Sequence, residues 1–279
     1  MSLKSTYTPA HNASPGGSTS DSQDDSWGQF AQSFRDPAKP LLPPWGEVFR
    51  PLQSGTVDDL VVIGQIGQSL DGRIATASGH SKYINGPGGL THLHRLRSLV
   101  DAVVIGVGTA LADDPELTVR RVAGPQPARV VLDPKGRLPA SAKIFTSDGV
   151  RRLLVTAEGT QLATGADVEV IALPAADGRI APSAILAALV ERGIHRILIE
   201  GGASTVSLFL AAGCLDRLHV IVAPIILGSG RASFILPAVE RADQALRTPT
   251  RTFQLDDDIL FDCDMSAQRV AVSRAKKST

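Results

Sequence analysis

The sequence predicts an α/β fold built on one mixed sheet. Three observations carry this. Short apolar runs rich in β-branched residues recur at 60–67, 102–107, 129–132, 153–156, 168–172, 194–199 and 218–226, and such runs read as buried strands. Helical spacing falls between several of them: leucines at 93, 96 and 99, then 182–192 and 204–212. Two further runs, 252–255 and 259–265, read as antiparallel strands and make the sheet mixed. Alternating strands and helices pack as an α/β layer structure.

The elements follow in order. Strand 60–67 leads through the Asp71-Gly72 turn to a short strand, 74–77. A loop over 78–89 carries Ser81, Tyr83 and Asn85 before the helix at 91–100. The stretch 101–120 offers the densest chemistry. It is an apolar strand followed by Gly106 and Gly108, a hydroxyl at Thr109, the turn Asp113-Asp114-Pro115, and Arg120. Glycines at a strand's carboxyl end let a ligand approach the backbone, and ligands of open α/β sheets collect there. A plain strand, turn and surface arginine has the same spacing, so the segment alone leaves both readings open. The helix at 182–192 starts on a proline, and the helix at 204–212 closes at Gly213. Between them Glu200-Gly201-Gly202 joins a strand to a helix, where backbone amides can bind a diphosphate.

Composition bounds the function. Of 279 residues, 43% are hydrophobic and 20% charged, as in ordinary globular proteins. Lys+Arg and Asp+Glu are both 28, which argues against a dedicated nucleic-acid or anionic-membrane binder. Cys214 and Cys263 make neither a disulfide framework nor a zinc set. No apolar run nears the ~20 residues of a membrane span, and the N-terminus lacks a signal pattern. A cytoplasmic protein is expected. We expect 1–56 to be extended or partly disordered, 57–268 to fold, and 269–279 to be a basic tail. The segment 1–40 lacks the aliphatics to offset its ordering entropy. Trp27, Phe30, Phe34, Trp45 and Phe49 nevertheless cluster there and just beyond, as anchors or as incidental aromatics of a solvated tail; 43–60 is expected to dock.

Several chemistries find no support. No metal site is read; His92 and His94 are two apart on a helix and are expected to be solvated. There is no nucleophile elbow and no phosphate loop. A dinucleotide fingerprint fails at its third glycine, where Leu111 stands.

Taken together, Ser69-Leu70-Asp71-Gly72-Arg73, Ser81, Tyr83-Ile84, Arg97, the string 108–120, Glu200-Gly201-Gly202 and Ala223-Pro224 with Leu227-Gly228 resemble the pyrimidine reductases of riboflavin biosynthesis. The resemblance covers about 60–265. It implies a dihydrofolate-reductase-like fold: a mixed, mostly parallel sheet flanked by helices in three layers, usually as a homodimer. The zinc signature of the deaminase half found in bifunctional relatives cannot be built from two cysteines, so a stand-alone reductase is expected.

The resemblance also implies roles. NADPH would be held by Gly67, Tyr83, Thr109, Asp113 and the turn through Gly202, Ala203, Ser204 and Thr205. A phosphorylated aminopyrimidine would be held by Ser81, Arg97, Leu117, Arg120 and Glu200. Glu200 and Asp113 are the catalytic candidates. Guanidinium groups suit a ribose phosphate, which they bind through paired hydrogen bonds. Lys135 and Arg137, after the strand ending at Asp133, are candidates for the cofactor's 2′-phosphate. Two departures stand out: Gln65 where bifunctional members commonly have lysine, and Pro134 where a serine is usual. Rival readings are the same fold acting on a pterin or folate, and a nucleotide-binding protein without activity.

Overall fold

The computed structural model describes residues 19–36, 39–41, 45–82, 84–162 and 167–272. Thirteen strands run in chain order: β1 (Val61–Ser69), β2 (Arg73–Thr76), β3 (Ala102–Gly106), β4 (Ala128–Leu132), β5 (Arg152–Ala157), β6 (Glu169–Leu173), β7 (Ala175–Ala176), β8 (Arg179–Ile180), β9 (Arg196–Ile199), β10 (Arg217–Ala223), β11 (Gly230–Ala232), β12 (Thr250–Leu255) and β13 (Asp258–Asp264). The helices are α1 (Thr19–Phe34), α2 (Gly46–Phe49), α3 (Pro87–Leu99), α4 (Val107–Asp113), α5 (Pro182–Val190) and α6 (Ala203–Ala211). Among the described residues, no helix is long and apolar enough to cross a membrane.

Nine strands form one sheet in the order β12-β13-β10-β1-β9-β3-β4-β5-β6. In it only β13 runs against the others. The expected mixed, mostly parallel sheet is therefore present. Its strands are apolar on both faces because helices cover both. Val61, Ile63, Val103 and Ile105 face a layer containing α1 and α3, while Val62, Val104, Ile197 and Ile199 face α5 and α6. Small ribbons, β2 with β11 and β7 with β8, stand apart.

Most expected elements fall within a few residues of their predicted bounds. Among those not foreseen is α4: 107–113 is a helix rather than a turn. Its glycine and aspartate are poor helix formers, but burial of Val107 and Ala110 against the sheet holds it. Asp114 then ends it in a left-handed conformation (φ 40°), its amide bonded to Ala110 O.

The N-terminal expectation needs correction. Residues 19–34 are helical, and Trp27, Phe30 and Phe34 are almost completely buried. Trp27 stacks on Phe30 and meets Trp45 and Phe49 edge-on, and its indole N–H donates to Ala123 O at 3.0 Å. Arg35 pairs with Asp101 at 3.0 Å. Low mean hydropathy hid the anchor, because a few large rings supply the buried area that aliphatics usually provide.

The same layer corrects the reading of α3. His92 and His94 are both buried. His92 stacks on Phe49, and its Nε2 meets His219 Nδ1 at 3.0 Å. The other His219 nitrogen faces Asp262 at 3.2 Å. The helix is enclosed on more than one side, so two side chains facing different ways can both be inside.

Candidate active site

The site opens where strands end at different heights. β9 stops level with Gly64 of β1 and Val104 of β3. Its neighbours run on, β1 to Ser69 and β3 to Gly106. The Glu200 amide continues the ladder by bonding Val104 O, then the chain turns away. This leaves a notch at the carboxyl edge of a parallel sheet, where ligands of such sheets bind. The notch is the floor of a cleft of about 1080 Å³. That is at the upper end of the usual span of ligand pockets.

Most of the predicted residues meet here. Gly67, Ser81, Arg97, Thr109, Asp113, Leu117, Glu200, Gly202, Ala203, Ser204 and Thr205 all line the cleft. Arg120 does not. It lies in an adjoining hollow of about 290 Å³ that shares Arg97, Asp113 and Leu117 with the main cleft. Tyr83 lies outside the described residues. Lys135 and Arg137 line neither cavity, and Arg137 approaches Asp133 at 4.0 Å.

At the centre Arg97 and Glu200 form a buried bidentate pair. Arg97 Nε donates to Oε1 and Nη2 to Oε2, each at 2.7 Å. A further bond runs from Arg97 Nη1 to Thr118 O at 3.0 Å. Burial works against the guanidinium charge. The adjacent Glu200 carboxylate and its hydrogen bonds outweigh that and raise the Arg97 pKa above its ordinary value. Arg97 therefore does not present an open fork, as a phosphate clamp would need. It orients Glu200, whose remaining lone pairs are left for a ligand.

The arm carrying Arg120 is pinned from several directions. The Arg120 amide donates to His94 Nδ1 at 3.1 Å. Burial first, then the nearby Arg97, Arg120 and Arg121 charges, lower the His94 pKa to about 3, so its ring remains an acceptor. Gln126 brackets Val119, taking its amide proton and donating to its carbonyl. Leu117 lies at the cleft wall with φ 54°, rare for a branched side chain and typical of a held, functional backbone.

Another wall of the cleft is built from Thr109 and the turn before α6. Gly201 has φ 116°, a conformation side chains rarely adopt. A Cβ there would stand 2.9 Å from Thr109 Oγ1, the atom that accepts the Gly202 amide at 2.9 Å. Thr109 thus holds the turn, and the first amides of α6 open to the cleft. Gly67, opposite, leaves room for Asn85, whose Nδ2 donates to Ile221 O at 3.3 Å.

Asp71 ties the Ser69–Arg73 motif to the 223–228 motif. It accepts the Ser69 hydroxyl at 2.6 Å and the Leu227 and Gly228 amides at 3.1 and 2.7 Å. These bonds, Ser69 foremost and then Leu227, hold its pKa down at about 2. The brace fixes the β2–β11 ribbon beside the cleft. Sequence reasoning missed two lining cations, Lys82 and Arg231. Arg231 sits in a glycine- and serine-rich segment just past the 223–228 motif, and nothing local marks it. The two departures also fall differently. Gln65 is buried in the cleft wall, whereas Pro134 is not among the lining residues.

Sheet order, notch and cleft together define an α/β domain with a large ligand cleft at the carboxyl edge of its sheet. A family model described as the RibD C-terminal domain matches residues 61–261, and the chain belongs to that family. The motif resemblance to the riboflavin pyrimidine reductases is thereby confirmed. The chain is 33% identical over 212 residues to the 2,5-diamino-6-ribosylamino-4(3H)-pyrimidinone 5′-phosphate reductase of Methanothermobacter thermautotrophicus, covering 72% of this chain and 96% of that one. It is 36% identical over 164 residues to riboflavin biosynthesis protein RibD of Aquifex aeolicus, covering 58% of this chain and 46% of that protein. It thus spans under half of that second relative. Among solved structures, Acinetobacter baumannii RibD superposes with a TM-score of 0.64 at 32% identity, over 78% of this chain and 61% of that one.

Proposed function

We propose that the protein is an NADPH-dependent reductase of riboflavin biosynthesis, which converts the ribosyl group of an aminopyrimidine ribose 5-phosphate to ribitol. The observation that carries this is the Arg97–Glu200 pair at the floor of a large cleft, in a chain that aligns with nearly the whole length of a pyrimidinone 5′-phosphate reductase.

The residues present fit a nicotinamide dinucleotide. Gly201 and Gly202 form a backbone cradle that a Cβ would disturb, and Gly108 faces open space. The first amides of α6 suit a diphosphate. When bound, the cofactor supplies hydride to the ribosyl carbon. The chain's part is to bind and orient. Thr109 holds the cofactor turn, with Gly67, Asp113 and 202–205 in the same cleft; Tyr83, outside the described residues, joins them on the family resemblance alone. Leu117 packs against the pyrimidine, and Ser81 and Arg120 meet the phosphate. Glu200, steadied by Arg97, accepts ribose hydroxyls and takes part in proton movement as the ring opens.

We further propose a cytoplasmic homodimer. Val220 and Val222 on β10 sit opposite Phe261 and Ile259 on β13 and share one sheet face. Phe261 and Ile259 are 37% and 40% exposed. A contiguous apolar face of this kind suits a two-fold contact. Light scattering is expected to give twice the 29.3 kDa chain mass, and Phe261→Lys is expected to give the monomer.

The test of the reaction is NADPH oxidation with the deaminated and the undeaminated pyrimidine, and with dihydrofolate. Oxidation that requires a phosphorylated pyrimidine supports the reading. Turnover of dihydrofolate alone, or of nothing, overturns it.

A further inference from the structure

We propose that Arg231, with Lys82, forms a binding site for a terminal phosphate monoester at the ribbon end of the cleft. The proposal deepens the reductase reading and rests on it for the choice of ligands. The starting point is a charge inventory. Among the described residues, the cations lining the main cleft are Lys82, Arg97 and Arg231, and the carboxylates are Asp113 and Glu200. Arg97 and Glu200 satisfy each other. Lys82 and Arg231, both exposed, are therefore left uncompensated, and Asp113 lies on α4. Arg231 and Lys82 have no ion-pair partner among the described residues. Every other arginine lining either cavity has a polar partner: Arg97 has Glu200, and Arg120 donates to Thr118 Oγ1 at 3.2 Å.

The placement of Arg231 is built rather than incidental. Its backbone pairs with Ala75 in the β2–β11 ribbon. Asp71 ties that ribbon to the loop after β10, and Arg73 Nε donates to Gly228 O at 3.1 Å. The Arg231 side chain then lies against Gly79. A Cβ on Gly79 would stand 2.9 Å from Arg231 Nη2, and the residue has φ 93°, so glycine is required there twice over. A guanidinium on a fixed ribbon loses little freedom on binding, and its fork matches two phosphate oxygens. Lys82 lines the same cleft, and a dianion is better matched by two cations than by one. The internal diphosphate of a dinucleotide is already served by the amides of α6. What remains is a terminal phosphate: the 2′-phosphate of NADPH, or the ribose phosphate of the pyrimidine, which Arg231 would then hold together with the proposed Ser81 and Arg120.

Binding probes distinguish the two sources without turnover. Titration calorimetry with 2′,5′-ADP and with ribose 5-phosphate is run on the wild type, Arg231→Gln and Arg231→Lys. Losing one charge-assisted contact weakens binding by roughly tenfold to a hundredfold. The glutamine variant is expected to lose that much for one probe and under threefold for the other, with partial recovery in the lysine variant. Selective loss of 2′,5′-ADP assigns the cofactor phosphate, and selective loss of ribose 5-phosphate assigns the substrate. Unchanged affinity for both probes, or equal loss of both, overturns the proposal. A protein that binds a probe through Arg231 yet reduces no pyrimidine would sink the reductase reading while leaving this site standing.

Discussion

Arg97 holds both carboxylate oxygens of Glu200 at 2.7 Å across 103 positions of sequence, with both side chains buried. This reverses the role that Arg97 alone suggests. Arg97→Ala is expected to leave a buried carboxylate unpaired, which costs about 3–5 kcal/mol, and to lower kcat by disordering Glu200. Glu200→Gln alone is expected to lower kcat mainly. In the double variant no buried charge is left over, so thermal stability is expected to recover in part. The check is a double-mutant cycle on unfolding free energy. Additivity of the two substitutions within about 0.5 kcal/mol would count against the pairing.

The N-terminal helix is expected to matter for stability. Trp27 is fully buried among four aromatic or cationic neighbours: Phe30, Trp45, Phe49 and Arg95. Trp27→Ala is expected to cost about 3–5 kcal/mol and to lower the Tm by roughly 10 °C. Removing residues 1–40 is expected to cost at least as much. Calorimetry decides it. A Tm within a degree or two of the intact protein would mean that the helix merely rests on the surface.

Two buried histidines set an acid limit. Burial pushes the His92 pKa well below its ordinary value, with the neighbouring His219 second, and His94 is lowered to about 3. Unfolded histidines take up protons near pH 6.5 while these stay neutral. Stability is therefore complete above about pH 6.5 and falls as pH drops toward the folded values. Each histidine is expected to cost about 2 kcal/mol by pH 5. The depressed carboxylates, Asp71 and Asp262, lose their contribution only below their unfolded value near 4. A Tm series from pH 7.5 to 5 isolates the histidines, and a flat series there would refute their role.

The cofactor turn yields a paired prediction. Thr109→Val removes the acceptor of the Gly202 amide and keeps the shape. It is expected to raise the KM for NADPH about tenfold, one hydrogen bond's worth, with little change in the KM for the pyrimidine. Gly201→Ala forces a side chain into φ 116° against Thr109, at a cost of about 1–3 kcal/mol, and should act in the same direction. Steady-state kinetics on both substrates separates this from the opposite assignment, in which the pyrimidine KM rises instead.

Most of the fold was legible because strands and helices leave local periodicities. The run 102–107, the leucines of α3 and the β12–β13 pair all fell close to their predicted places. The motif positions were legible too, since eleven of the thirteen candidate residues line one cleft. The misses have separate causes. α4 was hidden because its helix depends on the sheet beneath it. The α1 anchor was hidden because a few large rings do the work that mean composition averages away.

The sequence by itself determined the alternation of strands and helices, the sheet's mixed character and the family, because each is written in residues close together along the chain. Only the tertiary structure decided that Arg97 faces Glu200, that Trp27 reaches Ala123, and that Arg231 stands over Gly79. α3 shows the physical reason. Leu93 and Arg97 face the cleft, His92 meets the N-terminal aromatics, and His94 takes the Arg120 amide. Nothing in the spacing of those residues says which side is wet. That depends on which distant segments arrive to cover the helix, and a buried charge or imidazole is stable only once its partner has arrived.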